Sequence, residues 1–273
     1  MRLAEALAQG TKTIARHEVL LLLTHFTDLS RADMLVSEEK QMPDEQCRAF
    51  FNAVERRQKG EPLQYIIGEW DFYGLTFTVD KRALIPRGET ELLVEEVVET
   101  LGYRSARVLD VCTGSGCIAV AVAKTLDVEV VAADISEDAL SLARENAARH
   151  GVGDRVRFVH SDLAQGLLDE GLDGTFDIVI SNPPYILSRD MAELQREVRE
   201  YEPHLALDGG VDGMDLYRRL LPQAYTLLKQ GGGLFLEIGP AGVKELAQQT
   251  GFSDVKLLND YAGLPRMVVA NKK

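Results

Sequence analysis

Cysteine is scarce in this chain: Cys47, Cys112 and Cys117 are the three that its 273 residues contain. An odd set without metal-ligand spacing supplies neither an even disulfide framework nor a thiolate metal site, and it fits a reducing cytoplasm. The five histidines form no partner pattern, and Ser115 lacks the context of a nucleophile elbow. A metal centre and a Ser-His-Asp hydrolase are therefore both unexpected. Long apolar runs are missing too. The longest aliphatic stretch, Val19 to Leu23, is far too short to cross a bilayer, and the opening MRLAEALAQG carries Glu5 and no apolar core of an export signal. Positive charge is the last shortage: 30 Lys and Arg face 43 Asp and Glu, for a net charge of -13. Such a balance opposes attraction to phosphate backbones, so nucleic acid is not an expected partner, and neither is a membrane.

What is present is ordinary in bulk and particular in pattern. A 45% hydrophobic share in 273 residues is enough for a small domain joined to a medium one. Residues 1–70 read as helices, with helical apolar spacing over Ile14 to Leu23 and Pro43 to Val54, and carry no phosphate loop or acid–base cluster. Residues 71–85 read as a β-hairpin linker, with aromatic and β-branched residues alternating around a turn at Gly74. Residues 86–273 alternate strand-like and helix-like segments, the pattern of an α/β sheet covered on both faces. The expected strands are Arg107–Asp110, Val128–Ala133, Val156–His160, Phe176–Ser181 and Gly233–Glu237, with two more near Val255–Leu258 and Met267–Ala270.

The first of these strands enters Cys112-Thr113-Gly114-Ser115-Gly116, after which a helix begins. Two glycines here permit a tight turn and a close ligand approach at a helix N-terminus, the design of a nucleotide-type cofactor loop. Asp134 ends the second strand twenty residues after Gly114, where a carboxylate can accept from a ribose diol. The spacing Gly114-x-Gly116-x-x-Ala119 also fits a dinucleotide fingerprint, so S-adenosyl-L-methionine, a dinucleotide and a purely structural turn all stay open on the loop alone. Asp110 favours the first, because a carboxylate there suits a cationic amino group and repels a pyrophosphate. Asp162, followed by Leu163, adds a third acidic strand end, although either neighbour of the loop could simply cap a helix.

The fourth strand runs into Ser181-Asn182-Pro183-Pro184-Tyr185. Two consecutive prolines stiffen this corner and remove backbone donors, leaving carbonyls and the Asn182 side chain as acceptors. Paired acceptors match a planar NH2 group, whose delocalised lone pair makes it a poor nucleophile until it is held and oriented. Tyr185 adds a ring able to stack on a flat substrate or approach a sulfonium. Asn182, Pro183, Pro184 and Tyr185 are thus the candidate catalytic and substrate-binding residues.

With these motifs in place, the chain resembles the protein-glutamine N5-methyltransferases of the HemK or PrmC type, which modify peptide-chain release factors. The resemblance spans nearly the whole chain: Pro62-Leu63-Gln64-Tyr65-Ile66-Ile67-Gly68, Leu84-Ile85-Pro86-Arg87-Gly88-Glu89-Thr90-Glu91, Tyr201-Glu202-Pro203, Leu207-Asp208-Gly209-Gly210-Val211-Asp212-Gly213 and Leu236-Glu237-Ile238-Gly239, besides the Asn-Pro-Pro-Tyr corner. It implies a helical substrate-recognition domain, a hairpin linker, and a class I S-adenosylmethionine-dependent methyltransferase domain, a Rossmann-like seven-stranded sheet whose last strand is antiparallel. It further implies that Asp110, Cys112, Thr113, Gly114, Ser115, Gly116, Asp134, Asp162, Leu163 and Asn182 contact S-adenosyl-L-methionine. The resemblance also implies that Asn182 and the Pro183 carbonyl hold the glutamine amide of a Gly-Gly-Gln loop in class 1 release factors, with Tyr185 beside it. Two positions depart from the family pattern, which usually has Gly at Cys112 and Pro at Gly88. Glutamine of a ribosomal protein and the N6 amine of adenine present the same planar NH2, and a scaffold without chemistry is the non-enzymatic alternative.

Overall fold

The computed structural model describes residues 1–27, 29–37, 39–239 and 242–273. Its contacts divide the chain into two units, Met1–Glu69 with Gln195–Tyr201, and Trp70–Leu194 with Glu202–Lys273. The first unit contains α1 (Leu3–Gly10), α2 (Arg16–Thr27), α3 (Arg31–Val36), α4 (Asp44–Gln58) and α5 (Leu63–Ile67). Phe50, Ala53 and Val54 on one stripe of α4 bury against Val19, Leu22 and Leu23 of α2 and Leu3 and Ala6 of α1, the one-sided burial that the helical period dictates. Arg57 near the end of α4 joins Glu18 of α2 to Glu197 by ion pairs on both sides.

A hairpin comes next, β1 (Glu69–Phe72) and β2 (Leu75–Thr78), all of it but Glu69 in the second unit. Its turn residues Tyr73 and Gly74 both have positive φ, 50° and 70°, the signature of the type I′ turn that matches strand twist. After α6 (Glu91–Leu101) the chain alternates through β3 (Arg107–Val111), α7 (Cys117–Thr125), β4 (Glu129–Asp134), α8 (Glu137–Arg149), β5 (Val156–His160), α9 (Gln165–Asp169) and β6 (Phe176–Ser181). Then follow α10 (Arg196–Tyr201), which belongs to the first unit, α11 (Asp215–Leu227), β7 (Leu228–Glu237), α12 (Val243–Thr250), β8 (Phe252–Asn259) and β9 (Pro265–Lys272).

The seven strands after the hairpin form one sheet in the order β5-β4-β3-β6-β7-β9-β8. Strands β3 to β7 pair in parallel and β9 runs antiparallel to both of its neighbours, the arrangement expected from the sequence. Parallel strands buried on both faces need near-continuous apolar residues, and Val108, Leu109 and Val111, with Ile178, Val179 and Ile180, meet that need with almost no exposure. One face packs Leu109, Val131, Val179, Leu234 and Val268 under α11 and α12. Helix α7, buried from Cys117 to Ala123, neighbours α6 and α8.

The observed β7 starts five residues earlier than Gly233. Phe176 pairs with Leu228, and the register then shifts so that Ile178 faces Gly233, which carries a glycine-rich stretch into the ladder. Among the described residues no helix is long and apolar enough to cross a membrane.

Candidate functional site

The strand order reverses between β3 and β6, since β4 and β5 lie on one side and β7 to β9 on the other. Open α/β sheets form a ligand crevice beyond the carboxyl ends of their strands at such a switch. A cavity of about 230 Å³ lies there. Its wall takes Cys112 and Gly114 from the loop after β3, Asp134 from the end of β4, Asp162 and Leu163 from beyond β5, and Asn182 and Pro184 from beyond β6. Segment 82–84, Pro203, Leu205, Ala206 and Arg219 of α11 also line it.

The loop is held from within. Gly114 and Gly116 have φ of 56° and 78°, and a Cβ on Gly116 would lie 2.9 Å from Ala143 Cβ, so only glycine lets α7 start against α8. Cys112 also adopts positive φ, 60°, a conformation that costs a residue with a side chain. Asn146, fully buried on α8, accepts from the Thr78 amide at 2.8 Å and donates to the Thr78 and Ser115 carbonyls. One side chain thereby ties the hairpin to the loop.

The acids divide by role. Asp134 accepts from the backbone N–H groups of Gly114 and Ser136, both at 2.9 Å, and burial raises its carboxyl above the ordinary range. Asp162 pairs with Arg219 of α11. Asp110 is fully buried and off the cavity wall; its Oδ2 accepts from the Thr113 hydroxyl at 2.6 Å, while Oδ1 has no hydrogen-bond partner of normal geometry. Burial pushes Asp110 up to about 7, and the Thr113 hydrogen bond works against that rise. Thr113 and Ser115 are buried under the loop as well, and Pro183 is buried at the corner.

Asn182 is positioned by Thr90 and Glu237, which lie in stretches that carry the family resemblance but have no site role in the sequence reading. Its Nδ2 donates to Thr90 Oγ1 at 3.2 Å, and Thr90 donates to Glu237 Oε2 at 2.6 Å. Glu237, the last residue of β7, is 2% exposed, and its Oε1 accepts from the Tyr185 hydroxyl at 3.2 Å. Burial raises the Glu237 carboxyl, while Thr90, Tyr185 and the charge of Arg266 oppose that rise. Tyr185 does not reach the cavity wall. Its ring lies so close to Gly239 that a Cβ there would sit 2.2 Å from Cδ2, and a Cβ on Gly209 would sit 2.6 Å from the Tyr185 Cα. A second buried acid, Glu202, accepts from the Ile85 amide at 3.1 Å and from Arg87, fixing the segment that leads into Thr90.

The donor set fits a cationic, ribose-bearing ligand better than a pyrophosphate. Two carboxylates, Asp134 and Asp162, line the cavity at neighbouring strand ends, and Asp110 is buried off the wall. Both arginines of the wall are already neutralised, Arg82 by Asp80 and Glu145 and Arg219 by Asp162. Among the described residues no group of His, Cys, Asp or Glu could hold a metal ion.

Residues 2–68 match the PrmC N-terminal domain, and residues 87–260 match the methyltransferase small domain. The release factor glutamine methyltransferase of Chlorobaculum tepidum is 44% identical over 90% of this chain and 86% of its own. The chain belongs to the release factor glutamine methyltransferase family. Another member of this family, from Geobacter sulfurreducens, is 43% identical over 93% of this chain and 88% of its own length. The one from Moorella thermoacetica is 40% identical over 100% of this chain and 99% of its own. Solved structures similar to this family member share the fold at low identity. A 16S rRNA N2 G1207 methyltransferase of T. thermophilus, in complex with AdoMet and guanosine, aligns at TM-score 0.55 and 19% identity, over 75% of this chain and 50% of that one. A methyltransferase from Pyrococcus furiosus aligns at 0.53 and 20%, over 85% and 99%.

Proposed function

We propose that the protein transfers the methyl group of S-adenosyl-L-methionine to the side-chain nitrogen N5 of the glutamine in the Gly-Gly-Gln loop of class 1 peptide-chain release factors. The observation that carries this reading is the Asn182 carboxamide on the cavity wall, whose Nδ2 is engaged by Thr90 so that Oδ1 is left to accept from a substrate amide. The names of the family's members point to the same substrate.

When bound, the cofactor supplies an electrophilic methyl carbon on a sulfonium, which leaves as the neutral thioether of S-adenosyl-L-homocysteine. Asp134 and the Asp162-Leu163 pair are assigned to its nucleoside part, Cys112, Thr113, Gly114, Ser115 and Gly116 to the loop that cradles it, and Asp110 to the negative potential under its amino group. Asn182 Oδ1 and the Pro183 carbonyl grip the two hydrogens of the glutamine amide. Pro184 keeps the corner rigid, and Tyr185 braces it from Glu237. These acceptors would favour the positive charge that develops on the amide nitrogen when it takes the methyl group, and one of its hydrogens would pass as a proton to solvent water. The helical domain, residues 1–70, is assigned to recognition of the release factor, with the hairpin of residues 71–85 between it and the methyltransferase domain, residues 86–273. The enzyme is assigned to the cytoplasm, where translation termination takes place, and a net charge of -13 accords with recognition of protein rather than nucleic acid.

Incubation with methyl-labelled cofactor and a purified class 1 release factor should place one methyl group on the Gly-Gly-Gln glutamine, located by mass spectrometry. Asn182→Ala should leave cofactor affinity nearly intact and reduce turnover by roughly 100-fold, the usual scale for one lost charge-stabilising contact. Label found on adenine or on a ribosomal-protein glutamine, with none on the release factor, would overturn the assignment.

A further inference from the structure

We infer that Glu237 and Thr90 are positioning residues that dictate which way the Asn182 carboxamide faces. The inference rests on the proposed amide-gripping role of Asn182 and deepens it. The oxygen and nitrogen of an asparagine side chain have nearly the same shape, so packing alone does not orient them. If Nδ2 faced the substrate, two donors would meet the two hydrogens of the glutamine amide and no grip would form. Something must break the symmetry.

The hydrogen-bond polarity around Thr90 does so. Glu237 accepts at both oxygens, from Thr90 at 2.6 Å and from Tyr185 at 3.2 Å. The single hydroxyl proton of Thr90 is thereby committed to Glu237, so its oxygen can only accept from the third partner. That partner is Asn182 at 3.2 Å, and only its nitrogen can donate. Nδ2 therefore turns to Thr90 and Oδ1 turns away from it. Thr90 and Glu237 are each 2% exposed, so water does not compete for these contacts. The same carboxylate holds the Asn-Pro-Pro-Tyr corner at both ends, Asn182 through Thr90 and Tyr185 directly. The three residues come from the entry to α6, the loop after β6 and the end of β7, elements brought together only by the sheet.

The side-chain amide resonance of Asn182 reads the contact directly, with or without a known substrate. In the wild-type protein it should be protected from solvent exchange; free exchange like that of an exposed asparagine would overturn the inference. Thr90→Val, which keeps the shape and removes the acceptor, should lose that protection, and Thr90→Ser should restore it. In steady-state assays Thr90→Val and Glu237→Gln should lower kcat roughly tenfold or more, the scale of one misplaced hydrogen bond, with cofactor affinity unchanged within about twofold. On an Asn182→Ala background neither should lower turnover further, because both act through Asn182. A full multiplicative loss in the double variants would instead show that they act elsewhere. Absence of labelling by a wild-type protein whose Asn182 amide is protected would sink the release-factor reading and leave the orientation device standing.

Discussion

Asp110 near the end of β3 and Cys112 just after it carry two different kinds of strain. Asp110 is ionisable, fully buried, and raised from 3.8 to about 7 by desolvation. Below the unfolded value both states hold the proton, and above about 7 both are ionised. Between these limits the folded protein binds a proton that the unfolded chain has lost, so stability falls as pH rises through the window and the deficit is complete above it. Asp110→Asn cannot ionise. It should be more stable than wild type at alkaline pH by an amount on the order of 4 kcal/mol at most, an advantage that fades as pH falls towards 4. Urea titrations at a series of pH values check this; a difference independent of pH would remove the proposed cause. At Cys112 the strain is in the backbone, with φ at 60°. Cys112→Gly should be more stable than Cys112→Ala by about 1 kcal/mol, because both lose the thiol and only glycine tolerates that conformation freely. Equal midpoints for the two variants would mean that the loop relaxes at no cost.

Elements meet through side chains that connect distant parts of the sequence, and legibility drops with that distance. The strands are readable because each is a short apolar run ended by a polar residue, and Asp134 stands out because it follows Gly114 at a spacing with a known geometric meaning. Thr90 is not readable as a site residue: it precedes a helix like an ordinary cap, and its carboxylate partner is 147 positions away. Glu237 offered a weak signal, a lone acid closing the apolar Leu234-Phe235-Leu236, the same pattern that marks Asp110. Asn146 offered none, since it follows Arg144 and Glu145 within a helix and its contacts lie 68 and 31 positions away. Asn146→Ala should cost on the order of 3 kcal/mol, because three backbone groups lose a buried partner at once. Hydrogen exchange should accelerate at the Thr78 amide in particular. A loss smaller than about 1 kcal/mol would mean that solvent replaces these bonds without penalty.

At the scale of the whole molecule, order along the chain and order in space part company at residues 195–201. A reading by composition draws one boundary near residue 70, yet this short segment joins the contacts of Met1–Glu69. No local signal could mark it, because α10 buries none of its residues and six residues are too few for a helix to persist alone. What holds it is charge and reach: Glu197 pairs with Arg57, the Tyr201 hydroxyl donates to the Lys59 carbonyl at 3.3 Å, and Arg196 lies against Gly60. Arg57 is the centre of this cluster, since it also pairs with Glu18, whose side chain is 13% exposed. Arg57→Ala in the full chain should leave two partly buried carboxylates without their cation and lower stability by roughly 1–2 kcal/mol, more than an exposed pair and less than a fully buried one. Exchange of the α10 amides should rise at least about tenfold, as expected for a locally opening segment, while amides of the seven-stranded sheet keep their protection. If α10 stays protected in that variant, packing of its backbone rather than the Arg57 ion pairs holds it in place.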